Sequence, residues 1–375
     1  MSDLAGGAVD HKRLAVASQW QLMWWAFRRH HLAMIGLVVV VILYLVAAVP
    51  GFFAINDPVR QNARAAFHPP QQVHWIDTQA DGSWSFAPYI HPYQLRRNPQ
   101  TLAAEYVEDV NRKVYLTFFT SGYSYSVLGL FQSDLHLIGT SDARQPLFLL
   151  GADRLGRCVW SRMVQGTQIS LSVGLVGVFL SLTIGVVLGG ISGYYGGRTD
   201  FVIQRVIEFI LSLPTIPIWL AMAAALPQDW PATTQYFMIT MILALTSWAQ
   251  LARVVRGRFL SLRTEEFVTA ARLDGASEGR IIFRHMLPSF MSHIIASITL
   301  AIPAMILAET SLSFLGLGLQ PPTISWGVLL REAQNIRSIA TAPWLFAPGA
   351  AVVIAVMALN FLGDGLRDAA DPYNK

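Results

Sequence analysis

Long apolar runs alternate with shorter polar segments along most of this chain. The first run, 32–53, is long enough to cross the ~30 Å hydrocarbon core of a bilayer as a helix. Five further runs of comparable length fall at about 169–194, 201–226, 235–255, 289–314 and 344–363. The pattern predicts an all-α polytopic membrane protein with six transmembrane helices. In the third run Pro214 and Pro217 predict a kink, because proline removes a backbone donor and crowds the preceding turn. In the second run Gly185, Gly189, Gly193 and Gly197 recur at i, i+4 spacing. Such a row of small residues lets a neighbouring helix pack very close.

The polar segments differ from one another. Residues 1–31 end in Trp24, Trp25, Phe27, Arg28 and Arg29, the composition of an amphipathic helix lying at a membrane surface. Residues 54–167 hold turn chemistry and the strand-like runs 114–119 and 123–131. They predict a small, largely β or α+β subdomain, about 70–148, built into the loop between the first two spans. Residues 257–288 form a polar elbow of two short helices. Thr264 is placed to cap the first, with Glu265 and Glu266 at the positive end of its dipole. Phe267, Ala270 and Ala271 share one face, and Gly275 can take the left-handed conformation that closes the helix. A second turn starts near Ser277, carries Ile281, Ile282, His285 and Met286 on one side, and ends at Pro288.

Composition sharpens this. Hydrophobic residues make up 53% and charged residues 13%, against about a quarter charged in soluble domains. The positive balance rests on arginine, since the lysines are Lys12, Lys113 and Lys375 alone. Arg253, Arg256, Arg258, Arg263, Arg272, Arg280 and Arg284 surround the elbow, Arg28 and Arg29 precede the first span, and Arg367 follows the last. With six spans all of these fall on one side, which the positive-inside rule makes the cytoplasm. Both termini are then cytoplasmic, and the 54–167 loop is periplasmic. A single cysteine, Cys158, excludes an internal disulfide and a cysteine zinc cluster. No glycine is followed by lysine, so no G-x-x-x-x-G-K loop exists to hold ATP.

Four further features are weighed by their chemistry. Gly190-Ile191-Ser192-Gly193 spells the G-x-S-G of intramembrane serine proteases, with His293 the candidate base; the glycine row gives the same residues a packing account. Arg205 and Glu208 lie at i, i+3, and either line a pathway or pair near a helix end. Glu309 lies deep in the fifth span, where an ionisable side chain marks a pathway or a polar core. His68, His74 and His91 lack metal-ligand spacing and are assigned to loop structure.

The elbow sequence Glu266-Phe-Val-x-Ala270-Ala271-Arg272-x-x-Gly275-Ala276-Ser277-x-x-Arg280-Ile281-Ile282-x-Arg284-His285-x-Leu287-Pro288 resembles the coupling loop of binding-protein-dependent ABC transporter permeases, the EAA loop. Arg-His before Leu-Pro is similar to the dipeptide/oligopeptide/nickel branch. So are Leu150-Gly-Ala-Asp153-x-Leu-Gly156-Arg157, the stretch from Ala308-Glu309 to Ser325-Trp326-Gly327, and Leu362-Gly363-Asp364-Gly365-Leu366-Arg367-Asp368, the last two close to its C-type subunit. Thr269 and His285 depart from the general loop pattern, Ala152 and Cys158 from the outer one, and the insertion is longer than in plain dipeptide permeases. The resemblance implies a core permease domain, 168–375, in the bacterial inner membrane. It implies pairing with a homologous permease, two cytoplasmic ATPases that carry ATP and Mg, and an external solute-binding protein. Glu266, Ala270, Ala271, Arg272, Gly275, Ala276, Ser277, Arg280 and Arg284 would meet the ATPase. The transported solute is left open among peptides, oligosaccharides and nickel.

Overall fold

The computed structural model describes residues 19–78, 83–97, 99, 104–142, 144–227, 229–335 and 340–370. Residues 1–18 of the predicted surface segment lie outside these. The described part opens with α1 (Gln19–Arg29), whose last turn carries Arg28 and Arg29. The first span follows as α2 (His31–Ala48), then a one-turn helix, Pro50–Phe53, started by the proline.

The second span, α3 (Val159–Tyr195), begins well before the apolar run does. Arg162 hid its first turns from the hydropathy pattern. That side chain is buried because Asp153 and Glu332 lie 3.6 and 3.9 Å away. The third predicted span is not one helix. It is α4 (Gly197–Ser212) and α5 (Thr215–Ala224), bent by 86°. Leu213 is extended (φ −85°, ψ 138°), as a residue before proline prefers to be, and this breaks the helix at Pro214. Pro217 sits in the first turn of α5, where its missing donor costs nothing. Among the described residues five helices are long and apolar enough to cross a membrane, and the bent pair makes a sixth if it counts as one span.

The fourth, α6 (Ala232–Leu262), runs well past the predicted end at 255 and directly into the elbow. The elbow consists of α7 (Glu266–Leu273) and a helical stretch over 278–289 whose middle, Ile281–Met286, is wound as a π-helix. Then come α8 (Met291–Phe314), α9 (Trp326–Glu332) in the loop that follows it, and α10 (Ala347–Ala370). The last helix therefore extends past the predicted end at 363. His30 before α2 and Asp368 near the end of α10 approach to 3.9 Å, so the start of the first span and the end of the last share one side of the bundle. The main core is built from α2, α3, α6, α8, α9 and α10 around Val173, Leu243, Ile306, Leu312, Trp326, Ala355 and Leu359.

Between α2 and α3 stands the β insertion. Strands β1 (His74–Thr78), β2 (Trp84–Ile90), β5 (Val114–Val127) and β6 (Phe131–Thr140) form an antiparallel sheet in the order β1-β2-β5-β6. Strands β3 (Tyr93–Arg97) and β4 (Ala104–Glu108) make a separate hairpin. The second strand-like run of the sequence, 123–131, is the end of β5, its turn and the start of β6. Ile90, Val114 and Leu147 form a small core at the base. His136 of β6 lies between the Gly51 and Ala54 carbonyls (2.7 and 2.9 Å from Nδ1) and the Tyr123 carbonyl (3.0 Å from Nε2), tying the sheet to the end of the first span.

Candidate functional site

The elbow projects from the end of the bundle where α6 leaves it. Helix α7 closes in a Schellman motif. The Gly275 N–H donates to the Arg272 carbonyl (3.1 Å) and the Ala276 N–H to the Ala271 carbonyl (3.0 Å). Gly275 has φ +76°, the left-handed conformation that glycine tolerates best. The start of the helix differs from the expectation. Glu265 is the capping position, without a side-chain bond, and the Thr264 hydroxyl donates back to the Ser261 carbonyl (3.1 Å). Because α6 continues to Leu262, Thr264 is absorbed by its last turn. The three residues expected on one face separate: Ala271 points inward with Val268, while Phe267 and Ala270 are exposed. The inward pair meets Phe259, Ile281 and Met286, so the bundle rather than the helix period selects the face. Glu266, Arg272, Gly275, Ser277, Arg280 and Arg284 are exposed as well, and Ala276 is half-buried. The Tyr195 hydroxyl at the end of α3 donates to Glu278 (2.7 Å) and holds the second half of the elbow.

Beside the elbow, α3 packs on α6 along its glycines. A Cβ on Gly189 would lie 2.5 Å from the Ala252 carbonyl oxygen, and one on Gly193 would lie 2.7 Å from that of Arg256. Gly185 faces Leu251. Gly197 does not belong to this row. It is exposed, has φ +56° and meets nothing within 4 Å, because it lies past the end of α3, at the first residue of α4. Ser192 is fully buried. Its hydroxyl donates to Asp200 (2.5 Å) and accepts from Gln204 (3.1 Å). Asp200 also receives both arms of the Arg256 guanidinium, at 2.5 and 2.6 Å. Ser192 is thus a member of a structural node joining α3, α4 and α6. The side chain of His293 lies outside the described residues.

The three charged candidates of the spans separate. Arg205 and Glu208 pair with each other at 2.8 Å on an exposed face of α4, apart from any buried polar core. Glu309 is fully buried and accepts from Ser313 and Ser325 (2.8 Å each) and from Ser170 (3.5 Å). Ser325 caps α9 by accepting from the Val328 N–H, and Ser170 accepts from the Trp326 N–H. One carboxylate therefore fastens the α8–α10 loop to α3 and α8. A second anchor lies above it. Arg157 donates to Asp153 and to Glu332, at 2.7 Å each. Burial first, and Asp153 second, push the Glu332 carboxyl above the usual range, while Arg162 and Arg157 oppose the shift. Cys158 is buried, and burial pushes its thiol up. His68 packs against Tyr93, Tyr106 and Phe148, and His74 against Tyr89 and His91.

A cavity of about 390 Å³ opens among α3, α5, α6 and α8. Apolar walls such as Leu251, Ala301 and Met305 are interrupted by Ser181, Ser247, Gln250 and Ser297. Trp219 of α5 lines it and donates to the Thr246 hydroxyl of α6 (2.7 Å). None of these lining residues stands out in the sequence. Isolated polar residues in apolar runs are the available signal, but which of them face a common space depends on helix packing.

Residues 185–374 match the family described as binding-protein-dependent transport system inner membrane component, and residues 18–70 match the N-terminal TM domain of oligopeptide transport permease C. The chain belongs to the first family: it is a multi-pass membrane permease subunit of an ABC importer. It is not itself an enzyme, since in this family the ATPase is a separate subunit. Among its relatives is a Brucella ovis protein named as a putative peptide permease, 39% identical over 64% of this chain and 78% of that one. The oligopeptide transport system permease protein OppC of Bacillus subtilis is 35% identical over 67% and 78%. The dipeptide transport system permease protein DppC of the same organism is 37% identical over 66% and 77%. A chain of the inward-facing MetNI methionine ABC transporter has a TM-score of 0.44 at 17% identity, covering 57% of this chain and 97% of that one.

Proposed function

We propose that this permease moves peptides across the bacterial inner membrane by alternating access, driven through the elbow by ATPases on the cytoplasmic side. The observation that carries the reading is the elbow's surface. An α-helix closed at Gly275 presents Glu266, Ala270 and Arg272, and the following turn adds Ser277, Arg280 and Arg284. Small residues allow another surface to approach closely, and charged ones make contacts that persist as that surface rotates. Arginine enrichment around the elbow, before the first span and after the last supports the cytoplasmic side for all three, with the β insertion in the periplasm.

The partners are a homologous permease, two ATPases holding ATP and Mg, and a solute-binding protein that delivers substrate. ATP-driven closure would bring two elbows together. The α3–α6 seam, packed too tightly to slide, would pass that movement upward to the cavity. The cavity's apolar wall with scattered hydroxyl and amide groups suits peptides of varied side chain, and the named relatives support the same solute class.

Arg272→Glu and Gly275→Pro test the elbow. Proline cannot adopt the φ of Gly275, so the Schellman closure is lost. Both variants are expected to insert and pair with the second permease yet to abolish ATP-coupled peptide uptake in proteoliposomes. Full uptake by either would overturn the elbow's role.

A further inference from the structure

We infer that the tip of the β5–β6 hairpin is a membrane anchor that dips into the outer lipid leaflet. The inference rests on the orientation proposed above, with the β insertion outside; the identity of the transported solute does not enter.

The tip is built against local preference. Leu130 N–H donates to the Val127 carbonyl (2.9 Å), and the two residues between have φ +50° (Leu128) and +74° (Gly129). This is the sign pattern of a type I′ turn, where Asn-Gly is the favoured pair. Leucine with positive φ is disfavoured, and such local strain is held at sites where the side chain has work to perform. The side chains it presents are apolar and uncovered: Leu128 is 61% exposed, Leu130 79% and Phe131 60%. Residues 114–133 contain no Asp, Glu, Lys or Arg, and the first charge on the returning strand is the exposed Asp134, so the tip itself lacks the charges that usually keep a protruding strand end in water.

Position supplies the occupant. The hairpin is fixed to the outer end of the first span, through His136 on the Gly51 and Ala54 carbonyls and Phe119 on Phe52 (ring centroids 6.2 Å apart). At 1.5 Å per residue, the 18 residues of α2 cover about 27 Å, close to the ~30 Å thickness of the hydrocarbon core. The hairpin root therefore lies at the outer interface, and α2 below it exposes apolar surface through Ile35, Val38, Ile42 and Leu45. The turn lies three residues beyond Tyr125, whose ring meets Gly51 at the end of that span, and Tyr123 and Tyr125 pack on His136 beside it, as aromatic residues do at a membrane interface.

The test uses the assembled transporter in nanodiscs, with Leu130→Cys in a Cys158→Ala background and an environment-sensitive fluorophore on the new cysteine. Without binding protein, the emission is expected to be blue-shifted and to be lost when the nanodisc contains spin-labelled lipid. A Leu128→Asn/Phe131→Ser variant restores the favoured turn and should fold, but lose both signals. Water-like emission insensitive to spin-labelled lipid would overturn the inference. So would a blue shift that appears only when the binding protein is added, since the tip would then be a protein contact.

Discussion

Glu309 shows how one residue can be found in the sequence while its work stays hidden. A lone carboxylate in an apolar run is conspicuous. Its partners are not, because Ser170 lies 139 positions away and Ser325 lies 16. Brought together, they make the carboxylate the fastening point between the α8–α10 loop and the bundle. Glu309→Ala would leave the buried Ser313 and Ser325 hydroxyls without their acceptor, at about 1–3 kcal/mol for each unsatisfied group. The expected result is a lower thermal midpoint for the purified protein. Glu309→Gln keeps one acceptor oxygen and should lose clearly less. Equal losses would show that the volume of the side chain, not its acceptors, stabilises the loop. Arg205 and Glu208 are as conspicuous in the sequence, but an exposed mutual pair at i, i+3 is worth little.

At the scale of elements, helix ends are legible where they depend on backbone chemistry. Gly275 closes α7 because left-handed φ is a property of the residue itself. Thr264 fails as a cap because the preceding helix runs further than its apolar run, and a hydroxyl then bonds the nearest carbonyl. The β insertion gives a second case. Asp77 accepts from Lys113 (2.5 Å) and from Tyr115 (2.7 Å), linking β1 to β5 and its approach. The Lys113 hydrogen bond, and then that of Tyr115, hold the Asp77 carboxyl below the usual range. A depressed folded-state pKa stabilises the sheet at pH above the ordinary aspartate range, and that contribution is lost as pH falls through the depressed value. Fluorescence of Trp75 and Trp84 against pH should show the insertion loosening on acidification. Asp77→Asn should remove that acid-dependent part of the profile, and an unchanged profile would refute the assignment.

At the scale of the molecule, α6 ties three features into one body. It carries the elbow at its end, Ser247 and Gln250 of the cavity in its middle, and contacts to both halves of the bent pair. Arg256 holds α4 through Asp200, and Thr246 holds α5 through Trp219. A push on the elbow is therefore expected to move the cavity wall, with the 86° bend at Pro214 carried along. Asp200→Asn should reduce peptide uptake more than ATP hydrolysis in the assembled transporter. The exchange Asp200→Arg/Arg256→Asp should recover part of the uptake. Loss of both activities in equal proportion by Asp200→Asn would argue that the pair stabilises the fold without transmitting movement.

The sequence by itself determined the membrane class, the β insertion, the approximate place of five long apolar helices, the elbow and its glycine closure. These follow from local quantities: hydropathy over a bilayer thickness, residue period and φ preference. Only the tertiary structure decided which small residues pack, with Gly189 and Gly193 inside the α3–α6 seam and Gly197 outside it. It alone provided Glu309 with its partners, buried Val268 instead of Phe267, and gathered Ser181, Ser247, Gln250 and Ser297 around one cavity. The physical reason is common to the spanning helices. In a greasy helix nearly every face is apolar, so periodicity no longer marks the inside, and the face each helix turns inward is set by the neighbour against which it packs.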